Sequence, residues 1–483
     1  MIGDERVPQP PSSPPRVARR LDGFTVFLAA LIVLVVIAGR QVFIGTKSIT
    51  LPSIPFLLAV TALTVLLRHV LFRRAGILVT FAGWRARLEA HPNLAAAVRA
   101  FAATRPAVFI VAHFAVVTIG LAPKASFTLS TDPFGNLPAR FDAGWYGSIA
   151  LDGYEWDRRF ERQRNFAFFP AMPMLMRPAG ALLGSQVPGM PREKRMLRVL
   201  WGGVIISLAA FLLALVYLAR LTRLFADGEA AKSAALLLAS YPFAVFFNAP
   251  YTEGLFLLGS VGVFYYFHQE RWLGASVFGL LVGFSRPNGC LVAIPLAVLA
   301  LQATWPEWRA GKERRAVATS LATRLLVAAM PGVAMLIFTA YLRNLTGFWF
   351  AWARIQGAWG REWGTRPIAQ GWEWLTTEGF MMVSQGVPFD VLNTLAVVFV
   401  VLLLVPVFRR LGTAYGLFVL LNLVPPIFAG GALSMGRISS TLFPIFIALA
   451  ARLPQAAVPA WAAGFAVLQG LVAALFFTWR ELF

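Results

Sequence analysis

The feature that most constrains this chain is a succession of apolar blocks, many of them about 18 to 25 residues long, the run a helix needs to cross a hydrocarbon core. They lie near residues 23–45, 51–71, 106–123, 199–219, 233–249, 254–268, 272–284, 288–303, 325–342, 387–408, 413–430, 436–451 and 457–478. Of the 483 residues, 58% are hydrophobic and 13% charged, against about half and about a quarter in a soluble domain. A soluble enzyme is thereby excluded, and the expected fold is all-α and membrane-embedded, with about thirteen transmembrane helices.

The net charge of +21 raises the question of a nucleic-acid partner. The basic residues are scattered between apolar blocks rather than gathered in one basic domain, so they read as membrane topology and anionic-lipid chemistry. Cys290 is the sole cysteine, which excludes an intrachain disulfide framework, and the four histidines have no metal-ligand spacing. Neither a metal nor a cofactor is expected.

Arg16, Arg19 and Arg20 directly precede the first block and favour a cytoplasmic N-terminus. Residues 1–22, polar and proline-rich, are expected to be a disordered tail. The first block is longer than a signal sequence's apolar region and is read as a retained span. Alternating the blocks from there puts basic connections inside, among them Arg73, Arg74, Arg85 and Arg87, then Arg309, Lys312, Arg314 and Arg315. Residues 23–105 are read as an N-terminal two-span addition with a basic inner loop, in which 78–103 forms an amphipathic helix on the inner face. Residues 106–452 are the core, and 453–483 carry a C-terminal span.

The same alternation places two long connections outside, 124–198 and 343–386, rich in Trp, Tyr, Phe, Arg, Asp and Glu. Such a composition suits interfacial helices, and the candidate chemistry concentrates there. No fixed-period repeat or likeness between halves is visible, which weakens a transporter reading.

Four constellations stand out. The first runs from Arg140 through Asp142 and Trp145-Tyr146 to Gly153-Tyr154 and Ala167-Phe168-Phe169-Pro170. Asp142 is the candidate base, a carboxylate at the water boundary where a lipid-linked phosphate and a polar acceptor meet; its structural alternatives are a helix N-cap or an ion pair with Arg140. The neighbouring carboxylates Asp152, Glu155, Asp157 and Glu161 alternate with arginines as a solvated face does.

In the second, Tyr251-Thr252-Glu253, Glu253 faces the same side as Asp142; Thr252 is alternatively a cap, with Glu253 in the first helical turn. The third, Ser285-Arg286-Pro287-Asn288-Gly289, is a polar interruption between apolar halves. An arginine at membrane depth there needs a partner or a wet cavity, and Arg286 and Asn288 are read as substrate-binding. The fourth is the loop from Trp349 to Trp374, with Gln356, Trp359, Arg361, Glu362, Trp363 and Arg366 closely interleaved, either a sugar groove or an aromatic belt. Arg437 is a further outer-facing cation.

In their order, Phe141-Asp142-Ala143, Ile149-Ala150, Gly153-Tyr154, Ala167-Phe168-Phe169-Pro170, Tyr251-Thr252-Glu253 and Ser285-Arg286-Pro287-Asn288-Gly289 resemble the PIG-V mannosyltransferases of glycosylphosphatidylinositol assembly and their bacterial relatives, within the GT-C membrane glycosyltransferases. The resemblance covers roughly residues 106–452. It implies a GT-C-type bundle, a polyprenyl-phosphate-mannose donor, inverting transfer and an active site on the lumenal or periplasmic face, with Asp142 at the catalytic acid of the first loop. Phe141 stands where that family commonly has Trp. The excess of arginine over lysine and the abundant alanine lean towards a bacterial inner membrane, where the acceptor is an envelope glycolipid, glycan or protein.

The sequence therefore leads to an inverting transfer of a hexose, expected to be mannose, from a polyprenyl phosphate to an acceptor hydroxyl. Asp142 is the base; Arg286 and Arg437 counter the leaving phosphate, Glu253 positions donor or base, and Gln356, Trp359 and Arg361 line a substrate groove. The partners are the lipid-linked donor, the acceptor and membrane lipids, with no nucleic acid. A lipid-linked sugar flippase is the alternative, and it has no need of an outer carboxylate base.

Overall fold

Backbone groups within lipid must find their hydrogen bonds inside the protein, and the apolar blocks meet that demand as helices. The computed structural model describes residues 15–38, 41–44, 47–72, 77–123, 125–361, 364, 388–430 and 434–480. The chain starts with α1 (Arg16–Ala38), a short antiparallel hairpin of β1 (Gln41–Ile44) and β2 (Lys47–Thr50), α2 (Ile54–Leu71) and α3 (Ile77–Glu89). Helices α1 and α2 lie antiparallel, sharing Leu28, Val35 and Leu57 and a buried ion pair in which Arg68 Nε donates to Asp22 Oδ1 at 2.8 Å.

There follow α4 (Pro92–Thr118), α5 (Ala143–Asp152), α6 (Ala171–Leu182), α7 (Arg192–Thr222), α8 (Gly228–Ser240), α9 (Glu253–His268), α10 (Trp272–Ser285) and α11 (Ala293–Arg309). Then come α12 (Arg314–Ala328), α13 (Met330–Thr346), α14 (Ala351–Arg354), α15 (Pro388–Leu411), α16 (Thr413–Gly430), α17 (Met435–Ser439), α18 (Phe443–Ala450) and α19 (Val458–Phe477). Among the described residues, 7 helices are long and apolar enough to cross a membrane, and up to 9 if two bent pairs each form one span. The protein is a multi-pass membrane protein with an essentially helical architecture.

Blocks 254–268 and 272–284 fold as expected into α9 and α10, of 16 and 14 residues. The stretch 78–103 does not form one surface helix. It divides before Pro92, whose missing N–H suits a first helical turn, and α4 runs on from there to Thr118, burying Ala95, Ala96, Ala97 and Ala100 inside the bundle.

Two spans are bent, by 77° between α8 and the 3-10 turn Pro242–Asn248 and by 47° between α12 and α13. The sharper bend releases backbone carbonyls from helical bonding, and Arg105 of α4 takes them up. Its guanidinium donates to the carbonyls of Ala239 at 2.5 Å and Ala244 at 2.6 Å and to Asn248 Oδ1 at 2.7 Å, while its flat face covers Phe211. This buried cation has no carboxylate partner among the described residues; it is satisfied by dipoles. The bend matters because it leads into the turn that carries Tyr251, Thr252 and Glu253.

Candidate active site

Four side chains far apart in sequence converge at one end of the bundle. Arg437 Nη1 donates to Asp142 Oδ2 at 2.6 Å, and Arg437 Nε also donates to Glu253 Oε1. The same Glu253 oxygen accepts from Arg286 Nη2, and Arg286 Nε reaches Thr252 Oγ1 at 3.0 Å. The result is a linear network, Asp142–Arg437–Glu253–Arg286. Glu253 is fully enclosed, whereas the Asp142 side chain keeps 22% of its surface open, so the one accessible carboxylate lies at the end of a buried chain of charges.

Each member is held by local structure. Asp142 occupies the position before α5 but makes no capping bond through its side chain. Nor does it pair with Arg140, which is buried and gives Nε to the Phe477 carbonyl and Nη1 to the carbonyls of Asn136 and Ala139. The backbone N–H of Asp142 donates to Tyr251 Oη at 3.1 Å, and the Tyr251 hydroxyl donates onward to the Arg140 carbonyl at 3.0 Å. Just before it, Phe141 sits at φ 41, a left-handed conformation that is costly for an aromatic residue and is held only when the surroundings over-determine it. The Phe141 ring is clasped by Trp479 at 4.6 Å and Phe476 at 5.6 Å.

Arg437 stands on the short helix α17, entered through Ser434 at φ 63. Gly436 is required beside it, since a Cβ there would come within 2.1 Å of the Phe243 ring, and its N–H donates to Asn393 Oδ1 at 2.7 Å. The Arg437 guanidinium lies over the Tyr251 ring at 4.4 Å, a cation–π contact that adds to its fixation. Thr252, at the head of α9, likewise makes no side-chain cap; its hydroxyl serves Arg286 instead.

Tyr146, one turn along α5 from Asp142, brings its hydroxyl to 3.5 Å from Thr252 Oγ1. Burial pushes its phenol up to about 12, with Arg437 opposing and Glu253 and Asp142 reinforcing the shift, so it stays a neutral donor. Trp145 meets Phe168 at 5.9 Å and Trp359 at 5.2 Å, and Phe168 meets Trp359 at 5.2 Å. These three rings join the first long connection to the second beside Asp142.

Of the remaining candidates, Arg361 is exposed and lies within electrostatic reach of Asp142, Arg437 and Arg286. Gln356 donates to the Trp352 carbonyl. Asn288 stands apart from the charge network and donates to Asn422 Oδ1 at 2.8 Å. Glu362, Trp363, Arg366 and Trp374 lie outside the described residues. In the charge run, Asp152 pairs with Arg192, and Asp157 with Arg164. Arg195 and Arg198 donate to the carbonyls of Ser185 and Gly184. Among the described residues, no three His, Cys, Asp or Glu side chains gather as a metal site.

Tyr251, Thr252, Tyr146 and Trp145 stand within the constellations read from the sequence, which gives none of them a part in the reaction; the structure places them around Asp142 and Glu253. The signal was their adjacency to Glu253 and Asp142, because residues in the same turn as a functional carboxylate are the ones able to set its direction.

No curated protein matches the chain. The family model for mannosyltransferase (PIG-V) matches residues 125–365, about half of the chain. The matched stretch holds Asp142, Glu253, Arg286, Asn288, Gln356, Trp359 and Arg361, and ends before Arg437. The matched stretch spans the motifs from Phe141 to Gly289, and the chain belongs to the PIG-V mannosyltransferase family.

Proposed function

We propose that the protein moves mannose from a polyprenyl-phosphate carrier to an acceptor hydroxyl, with inversion at the anomeric carbon, on the outer face of a bacterial inner membrane. Membership of a mannosyltransferase family makes it a membrane glycosyltransferase; the polyprenyl-phosphate carrier, the inversion and the outer face are what the resemblance to the GT-C enzymes implies. A GT-C-type bundle, with 106–452 as its catalytic core, is the architecture in which we read it.

The observation that carries the proposal is the part-exposed Asp142 carboxylate joined through Arg437 to the enclosed Glu253–Arg286 pair. Transfer from a glycosyl phosphate needs one base, because the phosphate departs without a proton and calls for positive charge. The acceptor oxygen attacks the anomeric carbon opposite the phosphate, and the carbon–oxygen bond to phosphate breaks with its electron pair left on the phosphate. The acceptor proton passes to Asp142.

The network's charge bookkeeping suits this step. Two carboxylates and two guanidiniums sum to zero at rest. When Asp142 accepts the proton its charge disappears, leaving Arg437 uncompensated as the phosphate gains its second negative charge. In a site of low dielectric that coupling is strong. Arg286 and Arg437 thus counter the leaving group, and Glu253 fixes both guanidiniums in place. Asn288 and Gln356 belong to the walls of the substrate groove.

The test is to incubate purified protein with synthetic polyprenyl-phosphate-β-mannose and a host membrane extract, reading carrier release and the product's anomeric configuration by mass spectrometry and NMR. An α-linked product supports inverting transfer. A β-linked product would overturn the single-displacement mechanism, and absence of product with competent donor and extract would overturn the donor assignment.

A further inference from the structure

Resting neutrality has a second consequence. A donor phosphodiester brings one negative charge before any bond breaks, and Asp142, Arg437, Glu253 and Arg286 already balance one another. Burying that charge needs a cation not committed to the network. Most arginines in the described parts of the long connections are engaged: Arg164 and Arg192 with carboxylates, Arg195 and Arg198 with carbonyls, and Arg354 between the rings of Phe160 and Phe348.

Arg361 is different. Among the described residues its side chain makes no ion pair or hydrogen bond; the protein packed around it lowers its pKa foremost, with Asp142 attracting its charge and Arg437 and Arg286 repelling it. Its backbone is tied to the aromatic corner, the Arg361 N–H donating to the Gln356 carbonyl at 3.1 Å. Two residues earlier, Trp359 packs edge-on against Trp145, and its indole Nε1 is buried with no acceptor. A buried donor without a partner is destabilising, and a ligand oxygen would relieve it. An unpaired guanidinium within electrostatic reach of Asp142 and an unanswered N–H on the ring that packs against Trp145, two positions apart in the chain, are the two donors of a clip for an oxyanion.

We infer that Arg361, together with the Trp359 indole N–H, grips the phosphate of the lipid-linked donor in the ground state. This rests on the reading of a polyprenyl-phosphate donor and divides the labour among cations. Arg361 holds the incoming charge, while Arg437 and Arg286 answer the charge that develops during transfer. The occupant is a carrier phosphate and not the phosphate of a bilayer headgroup, because the clip adjoins the carboxylate that must approach the same molecule's anomeric carbon.

The experiment uses the full chain in nanodiscs, comparing wild type, Arg361→Ala, Arg361→Lys, Trp359→Phe and the exposed control Arg162→Ala. Donor KM is measured with polyprenyl-phosphate-mannose, and equilibrium binding with polyprenyl monophosphate, each with and without anionic lipid. Arg361→Ala is expected to raise donor KM and weaken monophosphate binding about tenfold to a hundredfold, with kcat at saturating donor much less affected. Arg361→Lys should recover part of the loss, Trp359→Phe should show a smaller defect, and Arg162→Ala none.

Wild-type donor KM and monophosphate binding in both Arg361→Ala and Trp359→Phe would overturn the inference, as would a defect that appears only with anionic lipid. If wild type binds the monophosphate through Arg361 yet transfers no mannose, the donor-sugar reading fails and the phosphate clip stands. If Arg361→Ala does not fold, the lysine and phenylalanine variants carry the same comparison.

Discussion

Arg437 and Asp142, 295 positions apart in the chain, meet at 2.6 Å, and through that contact a part-exposed carboxylate is wired to a buried one. A base that must be ionised and correctly aimed before substrate arrives is served by a fixed guanidinium on one of its oxygens, since pre-organisation avoids reorganisation during reaction.

The enclosed Glu253 should be the most stability-sensitive member of the network. Glu253→Gln keeps the shape but leaves two adjacent guanidiniums without their shared counter-ion, and breaking a buried pair costs about 3–5 kcal/mol. Thermal unfolding in detergent should shift markedly downward, with transfer lost. An unchanged unfolding temperature would show that the two arginines find other partners.

Arg105 is expected to matter for stability rather than for the reaction. Arg105→Met would strand the Ala244 carbonyl and Asn248 Oδ1, at about 1–3 kcal/mol each, and loosen the 77° bend that precedes Tyr251. A lower melting temperature is predicted, together with loss of transfer in proportion to the misfolded fraction.

How much of this was legible in the sequence depended on range. Blocks whose apolar run ends at a polar turn, such as 254–268 and 413–430, became helices with nearly those limits, because burial and local hydrogen bonding agree there. The bends after Ser240 and at Ala329 were not legible, since the hydropathy runs straight through them and only tertiary partners such as Arg105 show where a span breaks. The clustering of Asp142, Glu253, Arg286 and Arg437 at one end is compatible with topology alone. Who pairs with whom is not: Arg140 was the nearest candidate in sequence for Asp142, and it is consumed instead by three backbone carbonyls.

The Asp22–Arg68 pair joins α1 to α2 away from the candidate site. Arg68→Met alone should destabilise the hairpin by leaving Asp22 buried and unpaired, whereas the double variant Asp22→Leu with Arg68→Met should recover most or all of the loss. A double-mutant cycle on thermal stability checks this, and mannose transfer should stay at the wild-type level in the double variant. A double variant as unstable as the single would mean that the pair is not simply compensating its own burial.

Tyr146 sets a pH expectation. Its phenol is raised from 10.0 to about 12 by burial, so the folded state holds the proton more tightly than the unfolded chain does. The stabilisation this linkage provides is complete below about pH 10 and is lost as pH rises towards 12. Transfer near neutral pH should therefore show no ionisation from Tyr146, and Tyr146→Phe should leave the shape of the neutral pH profile unchanged. A neutral-range limb that disappears in Tyr146→Phe would contradict a protonated hydroxyl.

The central claim is that Asp142 takes the acceptor's proton, and Asp142→Asn tests it most directly, with donor binding and turnover measured on the same preparation. The account predicts donor affinity close to wild type and mannose transfer lowered by about 10²–10⁴-fold. Transfer within a few fold of wild type in a variant that binds donor normally would contradict it, and the base would then have to be sought elsewhere.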